Sequence, residues 1–97
     1  MLRHIVIFKI KEEYKNEIPA IIDGFYAMKG KIEGLIDLEA GSNTVDSERA
    51  GDVALLCTFA DRKAHDYYQA HPLHAKVKET MARVREWSKA CDYEIDA

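Results

Sequence analysis

The sequence predicts an α+β domain in which helices cover one face of a four-stranded antiparallel sheet. Three observations carry this expectation. Runs with side chains alternating at period two stand at the start, in the middle and at the end of the chain, the first of them rich in β-branched residues. Stretches with apolar residues at every third or fourth position lie between them. The first and middle runs are apolar on both of their faces.

The first strand is expected over Leu2–Ile10. Its even positions form one face (Leu2, His4, Val6, Phe8, Ile10) and its odd positions the other (Arg3, Ile5, Ile7, Lys9). From about Glu13 to Glu33 the period changes to that of a helix, with Ile18, Ile21, Ile22, Phe25, Met28 and Ile32 on one side. Pro19 is tolerated only in a first turn, which sets the regular start near Ile18. Gly34 is placed to cap the end. A second strand covers Leu35–Ala40, and a polar loop runs to Gly51. A third strand covers Asp52–Phe59, with Val53, Leu55, Cys57 and Phe59 opposite Ala54, Leu56 and Thr58. Asp61 caps a short helix to about Ala70. Pro72 disfavours helical geometry at His71, so the helix breaks there and restarts. Leu73, Val77, Met81, Val84 and then Trp87 or Ser88 form the stripe of the next helix. A last strand is expected over Cys91–Ile95.

The order β-α-β-β-α-α-β is ferredoxin-like, and 97 residues hold it as one domain spanning 1–97. Helices in this order cover one sheet face only. A second copy of the sheet is the simplest cover for the other, since a large exposed apolar patch is unusual on a monomer. A homodimer through the sheet face follows from the two oily strands.

Composition narrows the class without naming a chemistry. The formal charge is −3, with no basic excess of the kind that binds nucleic acid. No apolar run approaches the roughly 18 residues of a membrane span, and no secretory leader is visible. Cys57 and Cys91 sit in apolar surroundings and are expected as two buried free thiols, in the cytoplasm. A single disulfide between them is the alternative.

Arg3-His4-Ile5-Val6, the loop Gly41-Ser42-Asn43, Asp52 before the third strand, and Tyr68-Gln69-Ala70-His71-Pro72-Leu73-His74 together resemble the stress-responsive A/B barrel (Dabb) family over essentially the whole chain. The Tyr-x-x-His-Pro-x-His segment at the helix break is the most specific part. The resemblance implies a homodimer whose two four-stranded sheets close into a dimeric α+β barrel. Many members of that family are known only as stress-induced proteins. One plant member is a polyketide cyclase that closes a linear chain by aldol condensation. Its working histidine and tyrosine fall on His74 and Tyr68, with further histidines at His4 and His71.

Chemically, a histidine in the first turn of a helix lies at the positive end of the dipole, which disfavours imidazolium. A neutral imidazole can accept a proton, and the Tyr68 hydroxyl can polarise a carbonyl. If the His4 face meets the helices, His4, Tyr68 and His74 converge in a cleft with Val6, Phe8, Phe25, Tyr26, His71 and Met81 about it. Such a cleft suits a small, largely apolar carbonyl compound. Two functional expectations result. One is a dimer that binds this compound without turning it over. The other is a cofactor-free cyclase- or isomerase-like enzyme with His74 as base and Tyr68 as donor. A cofactor-free monooxygenase is a third, by analogy of fold alone. Bland roles stand beside these: His71 as a helix cap, His74 as a helix–sheet hydrogen bond, His4 as a core histidine. No cofactor is implied. His71-x-x-His74 with His65 and His4 is a weak metal signal, because a first-turn pair without a nearby fixed carboxylate or cysteine is poor evidence for a metal.

Overall fold

The computed structural model describes residues 1–96. Strands β1 (Leu2–Ile10), β2 (Leu35–Ser42), β3 (Val53–Phe59) and β4 (Arg85–Glu94) form one antiparallel sheet in the order β2-β3-β1-β4. Helices α1 (Ile18–Tyr26), α2 (Arg62–Ala70) and α3 (Pro72–Val84) supply the buried residues Ile21, Phe25, Tyr68, His74, Met81 and Val84. The expected ferredoxin-like β-α-β-β-α-α-β order is the observed one.

On β1 the even residues Leu2, His4, Val6, Phe8 and Ile10 are all buried. They join Leu38, Val53, Leu55, Cys57 and Phe59 beneath the helices, each large side chain contributing about 1.5–3 kcal/mol of transfer free energy. Asp52 ties the top of β1 to the start of β3. Its backbone N–H donates to the Phe8 carbonyl at 2.7 Å, and its carboxylate accepts from the Ile10 N–H at 2.8 Å.

The outer face is formed by the odd residues of β1 and their neighbours. Ile5 lies between Leu56 and Cys91, and Ile7 between Ala54 and Lys89. Ile7 is 40% exposed, so this side of the sheet is apolar and open in the single chain.

Four details differ from the sequence reading. Regular helix α1 ends at Tyr26 rather than near Glu33. Beyond it, three-residue bonds such as Met28 N–H to Phe25 carbonyl at 3.1 Å and a positive φ at Gly30 turn the chain. Met28 and Ile32 stay buried nevertheless, because the turns lie over the same core. Strand β4 begins at Arg85, not Cys91, because pairing with β1 extends through Lys9–Trp87 to Ile10–Arg85. Trp87 thus belongs to a strand, with the Lys89 ammonium 5.3 Å from its ring centre. Finally, Cys57 is buried but Cys91 is exposed, and both are free. Pairing with Ile5 turns Cys91 to the outer face, while Cys57 pairs with His4 on the inner one.

Candidate functional site

The helix break positions the site. Asp61 opens α2 by accepting from the Ala64 N–H at 2.8 Å. Ten residues later, His71 ends α2 in extended geometry (φ −73°, ψ 138°), as a residue before proline prefers. The same residue opens α3: its Nδ1 accepts from the Leu73 N–H at 3.1 Å. With Pro72 in the first helical turn, His74 falls within that turn and faces inward, buried. The reversal brings the end of α2 against the start of α3, and the Tyr68 and His74 rings stack with centroids 4.0 Å apart.

A cleft of about 370 Å³ lies between the inner face of the sheet and α3. His4, Tyr68 and His74 all line it, and Val6, Phe8, Leu55, Val77 and Met81 make its walls apolar. Lys78 and Arg85 stand on the same lining, Lys78 donating to the Gln69 carbonyl at 3.2 Å.

Two buried polar atoms here find no hydrogen-bond partner among the described residues: the Tyr68 hydroxyl and Nδ1 of His74. The Tyr68 hydroxyl lies against the Cys57 thiol without a well-formed bond between them. Burial raises the Tyr68 hydroxyl far above the ordinary tyrosine range, so it stays protonated and a donor. Burial likewise pushes the Cys57 thiol up to about 12, which keeps it inert. His74 is lowered to about 4, by burial first and the Lys78 charge second, against the favourable Gln69 carbonyl. It is neutral at physiological pH.

Against this geometry, the sequence model of the stress-responsive A/B barrel domain, Dabb, matches residues 2–95. The chain belongs to the Dabb family. A Dabb-length relative, an uncharacterized protein of Streptomyces coelicolor, is 32% identical over 98 residues, covering 98% of this chain and 100% of its own. A dimeric Bacteroides fragilis protein of unknown function and ferredoxin-like fold superimposes with a TM-score of 0.80 at 25% identity, covering 97% of this chain and 95% of that one. A dimeric ferredoxin-like protein from Thermobifida fusca reaches a TM-score of 0.88 at 18% identity, with coverage of 97% and 90%.

In this Dabb chain the expected site residues divide into two groups. His4, Tyr68, His74, Val6, Phe8 and Met81 meet in one cleft. Phe25, Tyr26 and His71 do not line it. Phe25 stacks on Phe8 at 5.7 Å and lines a separate groove of about 400 Å³ between α1 and α3. Tyr26 is half exposed on the far side, where its hydroxyl bonds both the N–H and the carbonyl of Ala40 at 3.1 Å. It satisfies part of the β2 edge, a strand with no neighbour on that side. His71 is committed to its cap.

One residue was beyond sequence reasoning. Asp92 on β4 pairs across the sheet with His4, and its carboxylate bonds the His4 Nδ1. The two lie 88 residues apart, and only the register of β4 brings them together. The one available signal was the alternation of the last strand, which puts Asp92 and Glu94 on one face.

Proposed function

We propose that the protein is a homodimer, joined through the outer faces of its two sheets, that binds a small, largely apolar carbonyl compound in the cleft between α3 and the sheet. The observation that carries the binding half is the pair of unpartnered buried polar atoms on two residues that line the cleft, the Tyr68 hydroxyl and His74 Nδ1. Buried polar groups are normally paired, and an exception calls for an occupant or a cost. A ligand oxygen beside Tyr68 and His74 supplies the missing acceptor. About 370 Å³ suits a small organic molecule. The dimer half is supported by the open apolar strip of Ile5, Ile7, Ala54 and Leu56, and by the dimeric state of the Bacteroides fragilis and Thermobifida fusca proteins. Two free cysteines on opposite faces of the sheet fit a reducing cytoplasm.

A second reading, in which His74 is the base of a cofactor-free cyclase or isomerase, has in its favour a buried neutral imidazole stacked on a protonated tyrosine. Its weakness is quantitative. A base whose conjugate acid sits at about 4, rather than at 6.5, accepts protons poorly at neutral pH.

The test is a titration of aromatic and alkyl ketones and aldehydes against the dimer, followed by calorimetry and by product analysis. Binding is expected to weaken about tenfold in Tyr68→Phe, the loss of a single hydrogen bond to the carbonyl, with no product formed. Equal affinity in wild type, Tyr68→Phe and His74→Ala would contradict the cleft as the binding site. Product formation abolished in His74→Ala would establish the enzyme reading instead.

A further inference from the structure

We propose that His4, His65 and Asp92 form a binding site for a zinc-class divalent cation, adjoining the cleft at its His4 end. The three residues come from β1, α2 and β4, and one donor atom from each lies within 4.8 Å of the other two. Nδ1 of His4 already touches Oδ1 of Asp92, and Nε2 of His65 stands 3.9 Å from the same oxygen. Metal–donor bonds of about 2.0–2.2 Å place neighbouring donor atoms a little over 3 Å apart. Binding requires the His4–Asp92 contact to open and Nε2 of His65 to draw closer to that oxygen.

The surroundings fit a metal of this kind. Two imidazole nitrogens and one carboxylate select borderline cations such as Zn(II), Co(II) or Fe(II) over Mg(II) and Ca(II), which take oxygen. When Nε2 of His65 binds, its Nδ1 carries the proton, and the Asp66 carboxylate stands 3.6 Å from that atom to receive it. Without the shift, Nδ1 of His65 is buried and unpartnered. Phe59 packs edge-on against His65 with centroids 5.4 Å apart, and the His4 and His65 rings lie 5.2 Å apart, so an apolar wall backs the donors. The Asp92 side chain is 43% exposed, which gives a cation entry and leaves coordination positions open to water. The cation site does not depend on an organic ligand in the cleft.

The experiment is Co(II) and Zn(II) titration of the chelator-stripped protein at neutral pH, read by calorimetry and by the ligand-field absorption of bound Co(II). One ion per chain is expected, with a spectrum lacking thiolate charge-transfer bands, and excess Mg(II) does not compete. Asp92→Asn and His65→Gln are each expected to weaken binding at least about tenfold, while His71→Asn, which keeps a helix cap, binds as wild type. Circular dichroism checks folding. If Asp92→Asn unfolds, His65→Gln alone decides. Stoichiometry well below one, a thiolate band reporting Cys91, or unchanged affinity in His65→Gln would overturn the site and leave His4–Asp92 as a hydrogen-bonded pair only.

Discussion

At the scale of the residue, His74 is the position where burial and chemistry meet. Its folded pKa of about 4 lies below the ordinary 6.5. Between those values the unfolded chain binds more protons than the folded one, so stability falls as pH falls. The contribution is full above about pH 6.5 and is lost progressively as pH drops through 4, by about 3 kcal/mol. Histidine NMR is expected to show the His74 ring still neutral at pH 5.5, and urea unfolding is expected to weaken across the same window. A His74 midpoint near 6.5 in the folded protein would contradict its burial. The sequence placed His74 correctly in a first helical turn, because Pro72 marks that turn in the chain itself. Its partner Tyr68 was equally legible, six residues earlier on the preceding helix. The Asp92 contact with His4 was not, since it depends on a strand register that no local pattern sets.

At the scale of the element, turns rather than helices decide how close the layers come. Gly34 has φ +85°, and a Cβ there would stand 2.5 Å from the Ala64 Cβ on α2. Both the backbone and the space therefore demand glycine. Gly34→Ala is expected to lower stability by about 2–3 kcal/mol, from left-handed strain and overpacking together, as measured by chemical denaturation. An unchanged midpoint would mean that α2 moves away freely. The sequence located this glycine and the starts of all three helices, because prolines and capping side chains are local signals. The ends were harder. Met28 and Ile32 keep helical spacing beyond Tyr26 because they point into the same core, although the backbone carrying them is a series of turns. Arg85–Ala90 reads as a continuation of α3 in its apolar spacing, and only pairing with β1 makes it a strand.

For the whole molecule, the sheet has one side sealed by its own helices and another that is apolar but open. Ile7 at 40% exposure, beside Ala54, is the centre of the open side. That both faces of β1 and β3 are apolar was visible in the sequence, because alternation exposes each face separately. Which residues form the contact with a second copy was not, because it depends on how two sheets cross. The open apolar face makes the oligomeric state the decisive property of the molecule. Sedimentation equilibrium at micromolar concentration is predicted to give twice the 11.1 kDa chain mass for the wild type and a single-chain mass for folded Ile7→Glu, whose carboxylate would be buried against the partner sheet. A wild type that sediments at the mass of one chain would contradict it.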